Sequence, residues 1–283
     1  MTAAERPQAA AGDKRPGFPV RLPANLGVPS ATKRIFGSNA SNASDVFKPL
    51  PPKHAVVGLQ KPMPAGVGLD SQTVRSRMVE KLAKQGLQDA AVLAAMGQVE
   101  RHRFVDTALA NQAYEDTSLP IGLGQTISKP NVVARMLELL REGKGAGERL
   151  GRVLEIGTGC GYQAAVLSHL ASEVYSIERL RGLHDKARDN LRHFRLANVH
   201  LLFGDGMEGF AKGAPYAAII AAAGGEAIPP AWIEQLAVGG RLVAPMQTAS
   251  GQQALVVIDK MAQGIRQTIL EAVHFVPLKS GTN

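Results

Sequence analysis

The sequence predicts an α/β protein built on a doubly wound, mostly parallel β-sheet that is covered by helices on both faces. Two observations support this fold class. From Arg152 onwards, short apolar segments typical of buried strands alternate with helical segments, which is the pattern of consecutive strand–helix–strand units. The first of these strands is followed by Gly157, Gly159 and Gly161, a spacing typical of a tight turn between a strand and a helix.

The composition is that of a globular protein with a separate N-terminal leader. The chain has 283 residues, of which 45% are apolar and 20% are charged. Residues 1–70 hold 10 of the 17 prolines and nine Lys/Arg against four Asp/Glu. We therefore expect residues 1–68 to form a disordered, basic, Pro-rich leader and residues 69–283 to form one domain. A basic arm that contacts nucleic acid or another acidic partner is the alternative for the leader, but its cations are spread singly along the chain.

Cysteine, histidine and hydropathy patterns exclude several classes of protein. The single cysteine, Cys160, excludes an intrachain disulfide framework and a multi-cysteine zinc site, and we expect it to be a small residue of the turn and not a nucleophile. The seven histidines show no metal-ligand spacing, so no metal is expected. No apolar stretch reaches the roughly 18 residues of a membrane span. Charged residues occur early in the sequence and no apolar segment follows them, so we expect no signal peptide. We expect a cytoplasmic protein without membrane contact.

Three helices are predicted before the sheet begins. Ser71 is expected to cap the first, which ends near Gly86, and apolar residues at helical spacing mark the others over 92–99 and 132–140. Residues 119–131 contain two glycines and two prolines and are predicted to be a loop.

The predicted sheet has seven strands, and helices are expected in three of the four connections between the first five. The strands are expected at residues 152–156, 174–177, 199–203, 217–222, 241–245, 254–259 and 272–275. The helices are expected at residues 162–170, 183–196 and 229–236. The last two strands follow each other without a helix, which predicts a position at one edge of the sheet.

The glycine turn and the acid after the next strand predict a nucleoside site. Glu178 follows the second strand, 21 residues after Gly157, where a carboxylate can accept hydrogen bonds from both ribose hydroxyls. In the fingerprint of dinucleotide-binding proteins, the third glycine lies one residue further along the chain than Gly161 does. The carboxylate of Glu155 would also repel the pyrophosphate of a dinucleotide. A cationic adenosine ligand, S-adenosylmethionine, fits better, and Asp205 is expected to meet the adenine amine. A purely structural turn is the alternative.

The chain from residue 71 to 279 resembles the protein-L-isoaspartate O-methyltransferase family. The similarity includes the glycine turn, which many methyltransferases share, and a more specific segment, Gly124-Gln125-Thr126-Ile127-Ser128. Further matching segments are Arg103-Phe104-Val105, Leu119-Pro120-Ile121-Gly122, Ser176-Ile177-Glu178-Arg179, Gly204-Asp205-Gly206 and Phe275-Val276-Pro277-Leu278.

The resemblance implies an enzyme with a Rossmann-like methyltransferase fold. Such an enzyme transfers a methyl group from S-adenosylmethionine to the free carboxylate of L-isoaspartyl, and D-aspartyl, residues in damaged proteins, whose repair then proceeds through a succinimide. By position, Ser128 matches the family's active-site serine. The positions that match its cofactor pocket are Thr126, Ile127, Glu155, Gly157, Thr158, Gly159, Gly161, Glu178, Asp205 and Gly206. The resemblance also implies a monomer that acts on damaged proteins and peptides, with no nucleic-acid partner.

Some positions depart from the family pattern around the expected substrate groove. They are Leu123, Lys129, Asn131, Ala217, Ala222, Gly224 and Gly225. Two alternatives remain at this point: a methyltransferase acting on RNA or a small molecule, which the basic leader favours, and a non-catalytic S-adenosylmethionine-binding homologue, which the substituted groove favours. An NAD-dependent oxidoreductase is disfavoured by the glycine spacing and Glu155.

Overall fold

The computed structural model of the protein describes residues 72–145 and 147–283. The predicted leader at 1–68 and the predicted cap at Ser71 lie outside the described residues. Within the described part of the chain, no helix is both long and apolar enough to cross a membrane.

Helices and a hairpin precede the sheet. They are α1 (Gln72–Lys84), α2 (Ala90–Gln98), β1 (Leu119–Gly122), β2 (Gln125–Ile127) and α3 (Pro130–Arg141). The Asp89 carboxylate caps α2 by accepting hydrogen bonds from the backbone N–H groups of Ala91 and Val92. The same carboxylate is 2.9 Å from the buried guanidinium of Arg141, which fixes α2 against the end of α3. The presence of α1, α2 and α3 confirms the three helices that were predicted before the sheet.

Residues 119–131 do not form the predicted loop throughout, because β1 and β2 pair as an antiparallel hairpin. Leu123 and Gly124 form its turn, with φ values of 53° and 69°. Leu119 and Ile121 are buried on one face of β1. The alternation of apolar residues along β1 therefore outweighs the turn signals of Pro120 and the glycines, since the exposed Pro120 lies on the other face.

Seven strands form the main sheet, in the order β5-β4-β3-β6-β7-β8-β9. Their bounds are β3 (Leu150–Ile156), β4 (Ala171–Glu178), β5 (Val199–Phe203), β6 (Tyr216–Ala221), β7 (Leu236–Gln247), β8 (Gln253–Met261) and β9 (Gly264–Val273). The first five strands in this order are parallel, and β8 and β9 add to one edge in antiparallel pairs. The predicted fold class and the edge position of the last strands are confirmed.

The helices that connect the parallel strands are α4 (Tyr162–Leu170), α5 (Arg181–Arg192) and α6 (Pro230–Gln235). The prediction is correct to the residue for α4, whereas α5 ends four residues earlier than expected. The largest error concerns β9, which was expected over 272–275 and starts at Gly264. Its side chains are largely exposed, so the strand lacks the apolar signal that buried strands carry.

The order of the strands determines where a ligand can bind. The chain proceeds from β3 to β4 and β5 on one side, and β6 and β7 lie on the other side. In open parallel sheets, a crevice forms outside the carboxyl ends of the strands where the order reverses. The turn that contains Gly157 follows β3 at this reversal point.

Candidate active site

The glycine turn is held against the neighbouring strand. Gly157, Gly159 and Gly161 have φ values of 88°, 56° and 92°, in the left-handed region that favours glycine. The N–H groups of Gly157 and Thr158 both donate to the carbonyl of Ile177 in β4, at 2.9 and 3.1 Å. The turn therefore folds across the end of β4 and places its backbone in the crevice.

Glu178 is fixed at the end of β4 by two backbone donors. Its side chain is buried, and its Oε2 accepts a hydrogen bond of 2.9 Å from the N–H of Gly159. Oε1 accepts a second one, also 2.9 Å, from the N–H of Leu180. Each carboxylate oxygen has a further lone pair, so the group retains acceptor capacity toward the cavity that it lines.

A cavity of about 490 Å³ brings most of the predicted site together. Eight of the eleven predicted residues line it: Thr126, Ile127, Ser128, Gly157, Thr158, Gly159, Glu178 and Gly206. They come from the hairpin, the glycine turn, the end of β4 and the turn after β5, which are distant in sequence. The cavity is referred to below as the inner cavity.

Glu155 does not line the inner cavity. It is fully buried, and its Oε2 accepts a hydrogen bond of 2.5 Å from Ser176 Oγ, which is 2.6 Å from Thr158 Oγ1. Burial raises the pKa of Glu155 to about 8. At pH 7 the carboxyl group is therefore mostly protonated, and it does not present the fixed negative charge on which the sequence argument for a cationic ligand relied. Through its hydrogen bond with Ser176, which in turn bonds Thr158, the Glu155 side chain supports the glycine turn.

Gly161 and Asp205 also lie outside the lining of the inner cavity. A Cβ on Gly161 would be 3.1 Å from Leu191 Cδ1, so this glycine permits close packing between the turn and α5. Asp205 accepts hydrogen bonds from the N–H of Met207 at 2.8 Å and of Gly281 at 2.5 Å. Both of its oxygens thus have partners within the chain, and its expected contact with adenine stays a prediction.

Ser128 lies where the inner cavity meets a larger groove. The groove has a volume of about 1220 Å³, and Ser128, Thr126 and Ala222 line both spaces. Ser128 is half-buried in the short connection between β2 and α3. This arrangement gives a smaller and a larger space that adjoin each other, with Ser128 at their junction.

The segment after β9 contributes to the site in a way that sequence reasoning did not assign. Val276, Pro277 and Leu278 line both the inner cavity and the groove. The segment is held by hydrogen bonds of 2.8 Å from Leu278 N to Gly224 O and 2.9 Å from Gly224 N to Val276 O. The signal was present, because residues 275–278 match the family pattern, but the match does not specify a role.

The departures from the family pattern fall in different places. Leu123 lines the inner cavity at the hairpin turn, and Lys129 lines the groove. Asn131 and Ala217 line neither. Asn131 Nδ2 donates to Gln85 Oε1 at 3.0 Å. Across residues 72–145 and 147–283, no group of three or more His, Cys, Asp or Glu side chains has an arrangement that could hold a metal ion.

A family model and the sequences of curated relatives indicate one family. The model of the family "Protein-L-isoaspartate(D-aspartate) O-methyltransferase (PCMT)" matches residues 73–283. A protein-L-isoaspartate O-methyltransferase of Methylibium petroleiphilum is 55% identical over 287 residues, which cover 100% of both chains. One of Leptothrix cholodnii is also 55% identical, over 95% of this chain and 96% of its own.

Solved structures agree in fold. A protein-L-isoaspartate O-methyltransferase structure aligns with a TM-score of 0.65 and 27% identity, over 73% of this chain and 66% of that one. A Plasmodium falciparum structure, described as a protein-L-isoaspartate O-methyltransferase in complex with S-adenosyl-L-homocysteine, aligns with a TM-score of 0.61 and 24% identity, over 72% and 98% of the two chains. The second likeness supports the fold alone.

Proposed function

Because the chain belongs to the protein-L-isoaspartate(D-aspartate) O-methyltransferase family, we propose that its inner cavity binds S-adenosylmethionine and its groove receives the damaged polypeptide. The enzyme methylates the free carboxylate of L-isoaspartyl residues and so starts their repair. The observation that carries the assignment of the two spaces is their junction at Ser128, where a methyl donor and an acceptor carboxylate would meet.

The inner cavity fits the donor because its polar groups suit a nucleoside. When bound, S-adenosylmethionine supplies a methyl group that is activated by attachment to a sulfonium. Glu178, already oriented by two N–H donors, has lone pairs left for two ribose hydroxyls. The glycine turn allows the backbone to approach the ligand closely.

The chain needs no general base for this reaction. A carboxylate with a reference pKa near 4 is already ionised at pH 7, so no proton has to be removed before it attacks. What the protein supplies is alignment of the two reactants, which can contribute roughly 7–11 kcal/mol. We assign to Ser128 a hydrogen bond to the acceptor carboxylate or to the tail of the donor, and no covalent role. Thr126 lines both spaces beside Ser128, and Ile127 lines the inner cavity.

The central test measures methyl-ester formation on a synthetic isoaspartyl peptide, with the normal aspartyl peptide as its twin. The wild-type enzyme should methylate the first and not the second. Ser128→Ala should lower kcat/KM at least tenfold, about 1.4 kcal/mol. Ser168→Ala is the matched control, because Ser168 is a buried serine of α4 that lines neither space. Wild-type kcat/KM for Ser128→Ala would remove the assigned role.

The quaternary state and cellular context extend this proposal. We assign residues 69–283 to the methyltransferase domain and infer a cytoplasmic monomer that does not use nucleic acid as a substrate. The family match over residues 73–283 supports the domain assignment. Light scattering should give the mass of one chain, and labelled methyl groups should appear on isoaspartyl peptide and not on RNA.

A further inference from the structure

Arg101 is a buried cation without a carboxylate partner among the described residues. Its exposed fraction is 0%, and none of the ion pairs in the described chain includes it. Burial of the guanidinium lowers its pKa from the ordinary value of arginine. Placing an unpaired guanidinium in the interior is costly unless its donors are satisfied. Since hydrogen bonds must offset this cost, the groups that accept from Arg101 indicate its role.

Arg101 connects two parts of the active site. Its Nη2 donates to the carbonyl oxygen of Ser128 at 2.7 Å, and its Nε donates to the carbonyl of Ala113, also at 2.7 Å. Its Cζ lies 4.7 Å from the ring centroid of Tyr162, the residue that begins α4 after the glycine turn. Tyr162 and Ser128 both line the inner cavity. The third nitrogen, Nη1, has no hydrogen-bond partner among the described residues.

Ser128 has limited support from regular structure. β2 ends at Ile127 and α3 begins at Pro130, so Ser128 lies in the connection between them. The hydrogen bond from Arg101 is a charge-assisted anchor for its backbone, and such bonds are roughly twice as strong as neutral ones. A planar guanidinium can hold two carbonyls and contact an aromatic ring in one fixed geometry, which the single ammonium of lysine cannot.

We propose that Arg101 is a positioning residue that holds Ser128 at the correct distance from the donor pocket. The proposal rests on the role assigned to Ser128 under the proposed function, in the form of its hydrogen bond to the acceptor carboxylate. Arg101 lines neither the inner cavity nor the groove, so it acts through the Ser128 backbone and not on the substrate. Loss of Arg101 should therefore slow methyl transfer and leave donor affinity nearly unchanged.

The test is a double-mutant cycle of Arg101→Lys and Ser128→Ala. Rates are divided by the number of S-adenosylmethionine-binding sites found by calorimetry, so that unfolded protein does not count. Arg101→Lys should lower kcat on an isoaspartyl peptide at least tenfold, with donor Kd within threefold of wild type. In the Ser128→Ala background, the same change should lower kcat less than twofold further, because there is no serine side chain left to position.

Arg141→Lys is the matched control. Arg141 is equally buried, but it pairs with Asp89 and contacts the carbonyls of Gly145 and Glu148, away from both spaces. It should lower the Tm and leave kcat per binding site unchanged. Arg101→Gln repeats the measurement if the lysine variant does not fold.

Three results would overturn the proposal, and they are distinguishable from the failure of the proposed function. A full tenfold loss from Arg101→Lys in both backgrounds, or an equal loss of kcat in Arg141→Lys, would show a general structural role while the function of Ser128 stands. Wild-type kcat in Ser128→Ala alone would remove both the assigned role of Ser128 and the positioning role of Arg101.

Discussion

Replacing Glu178 by glutamine is the most direct perturbation of the proposed donor site. The carboxylate accepts one backbone N–H on each oxygen, and an amide keeps only one acceptor oxygen. The amide NH₂ group would then face a backbone N–H, and the ribose would lose a charged acceptor. A hydrogen bond to a charged group contributes about 1.5–3 kcal/mol. We expect Kd for S-adenosylmethionine to rise about 10- to 150-fold.

Calorimetric titration with S-adenosylmethionine measures this change, and kcat at saturating donor measures whether chemistry is affected. The rise in Kd should exceed the fall in kcat, because ribose binding is shared by the ground state and the transition state. Glu173→Gln is the matched control, since Glu173 lies on the same strand but is only half-buried and is paired with Arg152. Removing such a surface pair changes the free energy of folding by about 0–1 kcal/mol. Wild-type affinity in Glu178→Gln, or equal weakening in both variants, would refute the ribose assignment.

Two other buried residues, Glu155 and Gly206, lead to predictions about the pH dependence of stability and about donor binding. The free energy of unfolding should fall between about pH 5 and pH 8, by at most about 1.4 kcal/mol per pH unit. In this range Glu155 of the folded protein keeps its proton up to a pKa of about 8, whereas the same carboxyl group in the unfolded chain has already released it. Denaturant unfolding of Glu155→Gln at several pH values should lack this component, and identical pH slopes would contradict it. Gly206→Ala should weaken donor binding, because its Cβ would be 2.6 Å from Ile156 Cγ2 in the cavity wall. Gly204→Ala, whose Cβ would be 3.8 Å from its nearest neighbour, should bind the donor as wild type does.

Much of the fold was predictable because the relevant signals are local. The apolar period of residues 162–170 and the turn that precedes them predict α4 to the residue. Strand β9 shows the opposite case, since an exposed edge strand carries no burial pattern to detect. The hairpin of β1 and β2 was missed because its prolines and glycines indicate a turn, whereas its buried face depends on packing against the rest of the domain.

Some properties of the candidate site were likewise predictable from the local sequence, and others depend on the tertiary structure. The spacing of Gly157 and Glu178 was enough to predict that both residues line one crevice, because strand and helix geometry brings positions at that spacing to one edge of the sheet. The local pattern could not indicate that Glu155 is mostly protonated, that Asp205 accepts a hydrogen bond from Gly281, or that Arg101 holds Ser128. These properties arise from burial and from partners far away in the chain. A charge or a donor acquires its chemical role only when the folded protein sets its dielectric surroundings and its neighbours.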